Sequence, residues 1–456
     1  MADSYDLIVI GSGPGGYVAA IRAAQLGMKT AVVENDYTGG RCLNYACMPA
    51  KTILHAAEIY HQAADSAEQF GIKVDGVSVD WDGVQARRES VREGLSGGVA
   101  GLFKNNKVDL IEGTGSIKDA GTVVVDGSEY SAKNVLLATG SVALPIPGAE
   151  FGGRVLDTWG AWSLSEKPDK IAVVGAGASG CEIASAYGRF GTEVLLLEML
   201  DQILPAEDKD MARVVSRAFK SQNITISTGT KVENVEAGEK SVKFSYGDET
   251  AEVDYLMIAG GRAPDIEALG LDNIDLKLGE SGRIEVDDAQ KTSVDGVYAI
   301  GDLTPGPALA HKASDEGVIA VEAIAGMKVH PIDRDRIPGA TFCHPQVGSV
   351  GMTEAQAKEA GHKVKVGKFK LGGVGAAQVY EDRDGQVKIV ADAEYGEILG
   401  AHIVGNTACN MIIELVAAQA LEGGYQEVAR IIHPHPTISE AVMEAARAVD
   451  GWATHA

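Results

Sequence analysis

Two stretches share one grammar: DLIVIGSGPGG, Asp6–Gly16, and KIAVVGAGASG, Lys170–Gly180. Each is an apolar strand-type run that ends in glycines at G-x-G-x-x-G spacing. These are Gly11, Gly13 and Gly16 in the first copy and Gly175, Gly177 and Gly180 in the second. A helical stretch follows, closed by Gly27 or Gly191, and then an apolar strand ending in an acid, Glu34 or Glu198. All five correspondences share one offset along the chain. A single fingerprint of this kind is a weak signal, whereas two copies in the same strand–helix–acid context are strong. The first glycine makes the tight turn, the second lets backbone approach a pyrophosphate, and the third lets helix pack on strand. The helix N-terminus then offers free N–H groups and partial positive charge to the phosphates. The acid accepts hydrogen bonds from ribose hydroxyls. A pair of tight βα turns without ligand is the plainer alternative. No arginine follows Glu198 in Met199-Leu200-Asp201-Gln202 to hold a 2′-phosphate, so NAD is favoured over NADP at the second site.

Two dinucleotide sites in one chain imply electron transfer between two cofactors. The alternating strand and helix patterning implies an α/β fold with doubly wound sheets. The second Rossmann-like unit is expected to be inserted into the first, with boundaries near Pro145 and Leu271. SVDGVYAIGD, Ser293–Asp302, reads as a strand whose end places the Asp302 carboxylate at the first cofactor. From about Thr341 a new α+β pattern begins, without a glycine fingerprint.

Composition bounds the rest. With 456 residues, 45% of them hydrophobic, the chain is long enough for a large core without disulfide staples. No apolar run reaches the roughly 18 residues of a membrane span, and the first strand starts too early for a secretory leader. The net charge of −24 argues against nucleic acid, which needs a basic footprint. Five cysteines in such a length suit a cytosolic protein, where a close pair is catalytic or metal-binding more often than structural.

That pair is Cys42 and Cys47 in GGRCLNYACMPAK, Gly39–Lys51. No second cysteine pair or H-x3-H stretch completes a zinc site, and the flanks do not read as core. A redox disulfide fits better. PAKTILHAAEIYHQAADSAEQF reads as an amphipathic helix with Pro49 in its first position. Cys47 then lies just outside the helix N-terminus, where the dipole stabilises a thiolate. Lys51, in the expected first turn, opposes the dipole; it is either an ordinary surface lysine or the partner of an anion, thiolate or reduced flavin. Proton handling is offered by IIHPHPTISE, with His433, His435 and Glu440, since a carboxylate beside a histidine raises the basicity of its far nitrogen. Two histidines between prolines also suit a structural turn.

GSGPGG, GGRCLNYACMPAK, GAGASGCE, GVYAIGD, LAHKA, HPQVGSVGMTE and HPHPTISE together resemble the flavin-dependent pyridine nucleotide–disulfide oxidoreductases, most closely the lipoamide dehydrogenases among them. The resemblance covers essentially the whole chain. It implies an FAD-binding domain over 1–148, an NAD-binding domain over 149–271, a central domain over 272–340 that completes the FAD site, and a C-terminal dimerisation domain over 341–456. Cys42 would be the interchange thiol and Cys47 the thiol against the flavin. His435 would be the acid–base, oriented by Glu440, and Lys51 and Glu182 an ion pair near the flavin. The FAD contacts implied are Gly11, Gly13, Pro14, Gly15, Gly16, Glu34, Gly39, Gly40, Arg41, Lys51, Thr139, Gly140, Asp302, Leu309, Ala310 and His311. For NAD they are Gly175, Gly177, Gly180, Glu198 and Gly261, and no metal is implied.

The reaction implied is NAD-linked oxidation of a dihydrolipoyl group on a carrier protein, by a cytoplasmic homodimer whose active sites are shared between subunits. A reductase of another disulfide, and a flavoprotein redox sensor or assembly component, are the competing functions. Several positions depart from the family pattern: Arg41, Tyr45, Ala46, Met48, Ala178, Ser179, Ala263 and Ala308. Arg41 is either a solvent-facing loop residue or a charge that meets FAD phosphate or lowers the Cys42 pKa. Cys181 reads as a buried core residue.

Overall fold

A computed structural model describes residues 4–455. The chain forms two units. The first comprises Met1–Thr52, Asp82–Leu144 and Gly260–Arg334, and the second Ile53–Trp81, Pro145–Ala259 and Asp335–Ala456.

In the first unit the strand Ser4–Ile10 lies between Thr30–Glu34 and Ser128–Leu137, parallel to both, with Val9 opposite Val32 and Leu136. Asp109–Glu112 extends the sheet beyond Thr30–Glu34, and Val297–Ala299 pairs in parallel with Ser128–Leu137. An antiparallel ribbon, Gly115–Asp119 and Thr122–Val125, completes it. A strand's side chains alternate between faces, and here both faces are covered. Leu7 and Val9 pack with Ala19, Ala23, Val99 and Phe103, while Ile8 and Ile10 pack with Val123, Val135, Leu269 and Ile284. That is why DLIVI is apolar at every position after Asp6. The helices Pro14–Gln25 and Ala310–Ile324 cross in backbone contact, since a Cβ on Gly317 would stand 2.6 Å from the Gly15 carbonyl oxygen.

The second unit holds a parallel sheet in the order Ile224–Ser227, Glu193–Leu197, Lys170–Val174, Tyr255–Ile258, Val155–Leu156. A three-stranded antiparallel sheet, Val232–Ala237, Val242–Tyr246 and Glu249–Val253, accompanies it. The segment after Asp335 builds a five-stranded antiparallel sheet ordered Gly339–Thr341, Gln346–Gly351, Ile398–Gly405, Gln386–Asp392, Val364–Lys370. The helices Ala408–Ala420 and Glu440–Ala448 cover its apolar face. The architecture is α/β with an α+β C-terminal part. Among the described residues no helix is long and apolar enough to cross a membrane.

The cysteine region differs from the expectation in three ways. The helix begins at Cys47 and ends at His61, so Cys47 is its first residue and Pro49 its third. A proline is tolerated there because the first four N–H groups of a helix have no intrahelical acceptor. Lys51 is therefore the fifth residue, beyond the turn where the dipole acts most strongly. Past His61 the chain continues as a π turn, Gln62–Ser66, and a 3₁₀ turn, Ala67–Phe70, rather than as one regular helix. Arg41 lies half-buried in a short helix, Gly40–Asn44, and not on a solvent-facing loop.

Within the second unit a buried lysine ties two segments together. Lys388, 3% exposed, places Nζ 2.9 Å from both Asp208 carboxylate oxygens, 3.0 Å from Asp210 and 2.9 Å from Glu354. Burial pushes the Asp210 carboxyl up, but hydrogen bonds from Lys368 and Lys388 outweigh it and hold the group down to about 2. Hydrogen bonds from Lys358 and Lys388 hold Glu354 down to about 2 as well. A carboxylate whose folded pKa is depressed contributes stability that is present above its unfolded pKa and is lost as pH falls through the folded one. Lys388→Met is expected to destabilise the fold by roughly 3–5 kcal/mol at neutral pH, because it leaves Asp208 buried without its cation. Thermal unfolding of the two forms should converge as pH is lowered from about 4 to about 2; a gap that stays constant over that range would contradict the network.

Candidate functional site

The two glycine fingerprints fold into the same turn. Gly11 and Gly175 have φ of 101° and 93°, the left-handed region that favours glycine. Each donates its N–H to the strand carrying the acid: Gly11 to the Val33 carbonyl and Gly175 to the Leu197 carbonyl, both at 2.8 Å. The next residue donates its N–H to that acid, Ser12 to Glu34 at 2.9 Å and Ala176 to Glu198 at 2.7 Å. A Cβ on Gly16 would stand 2.0 Å from the Gly11 oxygen, and one on Gly180 1.9 Å from the Gly175 oxygen. Gly13 and Gly177 face open space at their Cα atoms, which leaves room for a ligand to approach the backbone. Neither following helix has a side-chain cap or an acid in its first turn, so both N-termini keep free N–H groups for an anion.

The first fingerprint opens into a cavity of about 370 Å³ within the first unit. Its walls include Gly11, Gly13, Pro14, Gly15, Glu34, Gly40, Arg41, Thr139, Gly140, Asp302, Leu309 and Ala310, together with both Cys42 and Cys47. An elongated dinucleotide fits the donor set: a glycine-lined helix N-terminus for phosphates, carboxylates at Glu34 and Asp302 for hydroxyls, and sulfur at the inner wall. Asp302 is oriented on one oxygen, Oδ2, which accepts from the Ser141 hydroxyl and lies 3.2 Å from the Arg262 guanidinium. Gly16 and Gly39 sit behind the cavity wall, where Gly39 packs on Leu43. His311 is exposed and lies outside the residues that line the cavity. Gly261 hydrogen-bonds through its carbonyl to Leu144.

Cys42 and Cys47 are present as two thiols, both half-buried. The hydrogen bond between Cys42 and Cys47 pushes the Cys42 pKa up, and burial adds to it, while the Lys51 and Arg262 cations pull the other way. Cys47 is the first residue of its helix, a position that suits a thiolate. Cys181 and Cys343 are fully buried, and burial pushes both thiols upward, away from reactivity.

In the second unit the two histidines of HPHPTISE divide. The His433 side chain is 4% exposed, with Nε2 2.6 Å from Glu414 and Nδ1 3.0 Å from the Ile431 carbonyl. His435 is 75% exposed at its side chain, with Nδ1 3.0 Å from Glu440 Oε1. Burial pushes the Glu440 carboxyl up, but the Thr437 N–H and His435 outweigh it and hold it below the ordinary value. Glu182 is buried on the helix Ala178–Arg189, where Oε1 accepts from the Phe342 N–H at 2.9 Å. Among the described residues no group of three or more His, Cys, Asp or Glu side chains is placed to hold a metal ion.

Sequence reasoning missed Ser12, Ser141, Arg262 and Glu414. Arg262 carries the clearest signal after the fact, a cation two residues before Pro264 in a strand that pairs with Ser141–Ala143. Ser141 and Glu414 lie in stretches without any pattern.

Residues 5–317 match the family model described as pyridine nucleotide–disulphide oxidoreductase, and residues 337–446 match the dimerisation domain of the same family. A dihydrolipoyl dehydrogenase of Geobacillus stearothermophilus is 43% identical, over 99% of this chain and 97% of that protein. One of Bacillus subtilis is 42% identical over 100% of both. Among solved structures, LpdA from Mycobacterium tuberculosis superposes with a TM-score of 0.90 at 27% identity, over 97% of this chain and 99% of that one.

If Lys51 stabilises charge on the sulfur pair, Lys51→Met should raise the apparent pKa of the reduced pair by on the order of one unit. The pH dependence of its alkylation by iodoacetamide reads this directly. An unshifted profile would remove Lys51 from the electrostatics of the pair.

Proposed function

Because the chain belongs to the pyridine nucleotide–disulphide oxidoreductase family, we propose that it is a dihydrolipoyl dehydrogenase, oxidising the dihydrolipoyl group of a carrier protein to the lipoyl disulfide and reducing NAD+. The observation that carries this reading is the Cys42–Cys47 pair in the wall of the cavity that the first glycine fingerprint and Glu34 also line. The relatives' shared activity and full-length similarity support it.

In the oxidised form Cys42 and Cys47 share a disulfide. A dihydrolipoyl thiolate attacks Cys42 Sγ, the Cys42–Cys47 bond breaks, and Cys47 leaves as a thiolate. The second lipoyl thiol gives its proton to His435 and attacks the lipoyl sulfur bonded to Cys42. That closes the lipoyl disulfide and returns Cys42 with the electron pair of the broken bond. The leaving thiolate is placed at the N-terminus of its helix, which lowers the cost of that step. Glu440 keeps the proton on His435 Nδ1, so that the exposed Nε2 is the basic nitrogen. The two-electron carrier chemistry between the thiol pair and NAD+ would be supplied by FAD held in the first-unit cavity.

The residues that would hold FAD are the first fingerprint, Glu34, Arg41, Thr139, Gly140, Asp302, Leu309 and Ala310. Those that would hold NAD are Gly175, Gly177, Gly180 and Glu198. Lys51 and Glu182 would pair beside the flavin, as the family resemblance implies. The matched dimerisation domain supports a homodimer. We further infer that the active site is shared, with His435 and Glu440 serving the sulfur pair of the opposite subunit. The sparing use of cysteine supports a cytosolic setting.

Dihydrolipoamide should bleach the bound flavin and support NADH formation, and Cys42→Ser should abolish both. Glu440→Gln should lower kcat/KM for dihydrolipoamide by about 10²-fold, the range of one general-base contribution. Full turnover of Cys42→Ser, or faster NADH-driven reduction of glutathione or coenzyme A disulfide than of lipoamide, would overturn the assignment.

A further inference from the structure

Behind the cavity wall lies an ion pair that neither the thiol chemistry nor the fingerprints use. Lys312 and Glu316 stand one turn apart on the helix Ala310–Ile324, with side chains 0% and 1% exposed and Nζ 3.0 Å from Oε1. Both partners grip a single residue of the turn Gly301–Leu303. Lys312 Nζ donates to the Gly301 carbonyl at 2.8 Å, and Glu316 Oε2 accepts from the Gly301 N–H at 2.7 Å. Thr304 Oγ1 joins them, donating to the Gly301 carbonyl at 2.9 Å and lying 3.1 Å from Lys312 Nζ. Gly301 has φ of 72°, so the chain reverses sharply here, and the next residue is Asp302. The same helix begins at Ala310, beside Leu309, in the wall of the cavity that Asp302 also lines.

Burial lowers the Lys312 pKa and raises that of Glu316, the cost of taking both charges out of water. A buried pair of this kind is a weak source of stability against apolar residues of equal volume. Its hydrogen bonds are directional, however, and a glycine turn has little of its own to fix its geometry.

We propose that Lys312 and Glu316 are positioning residues, which lock the Gly301 turn to the helix and thereby aim the Asp302 carboxylate at the cofactor. This rests on the reading that Asp302 contacts FAD. Lys312 and Glu316 make their hydrogen bonds to Gly301 and Thr304, whereas Arg262 and Ser141 contact Asp302 itself, both at Oδ2.

The test uses the holoenzyme and follows release of FAD by the rise of free-flavin fluorescence on dilution. The double variant Lys312→Met with Glu316→Gln removes both charges while keeping the volume, so it folds without a lone buried ion. It should lose FAD about tenfold faster than the parent, the scale of one hydrogen bond to a charged group. Asp302→Asn should also lose FAD faster. Adding the double substitution to Asp302→Asn should then accelerate release little further, since the two act through one carboxylate.

Parent-like release from the double variant, or effects that simply multiply in the triple variant, would overturn the proposal. Parent-like release from Asp302→Asn would overturn the Asp302 assignment and the proposal with it. Fast release from Asp302→Asn alone, with slow release from the double variant, would overturn only the positioning role. If the double variant does not fold, Lys312→Met with Glu316→Met decides the matter, since it removes both side-chain bonds to Gly301 and leaves no polar side chain buried there. Release severalfold faster than parent supports the proposal, and parent-like release overturns it.

Discussion

The Gly11 carbonyl occupies the place where any side chain at residue 16 would begin, and the Gly175 carbonyl does the same to residue 180. This backbone-on-backbone contact is the constraint on which the rest depends. It brings the first turn of each helix onto the end of its strand, so that unpaired N–H groups and the neighbouring acid look into one space. Glu34 and Glu198 then brace the turn from the next strand through Ser12 and Ala176. In the first unit the cavity, the sulfur pair and the Asp302 carboxylate are arranged around a helix start that no other residue at position 16 would permit.

Chemistry at the sulfur pair follows from an asymmetry between two residues that look alike in sequence. Cys42 lies in a five-residue helix and gives its proton to a hydrogen bond with its partner, while Cys47 opens a fifteen-residue helix. Two cations, Lys51 and Arg262, bear on the same pair from different segments. The two histidines differ in partner: His433 meets Glu414, and the largely exposed His435 meets Glu440 through Nδ1.

Much of this was legible in the residues. Glycine spacing has a steric meaning that survives without coordinates, so both βα turns and their acids could be read from DLIVIGSGPGG and KIAVVGAGASG. The cysteine pair and His435 stood out because their chemistry is rare elsewhere in the chain. Helix ends were harder. Pro49 marks a first turn but does not say which position of it, and so the start fell two residues early, at Cys47. The π turn after His61 has no compositional mark at all. Ser141 and Glu414 were out of reach because the role of one comes from a partner more than a hundred residues away and that of the other from a helix face, neither of which leaves a local pattern. His311 shares the motif of Leu309 and Ala310, which line the cavity, but is itself exposed outside that lining.

The buried couple formed by Lys312 and Glu316 also bears on how this sequence can change over generations. Either charge lost alone leaves its partner stranded in the interior, so the two codons cannot drift independently. A lineage reaches a neutral version of the turn only by two changes arriving together, or by a first change that the fold barely survives. The two positions are thus held to one another by the penalty on the intermediate, whatever the merit of either end state.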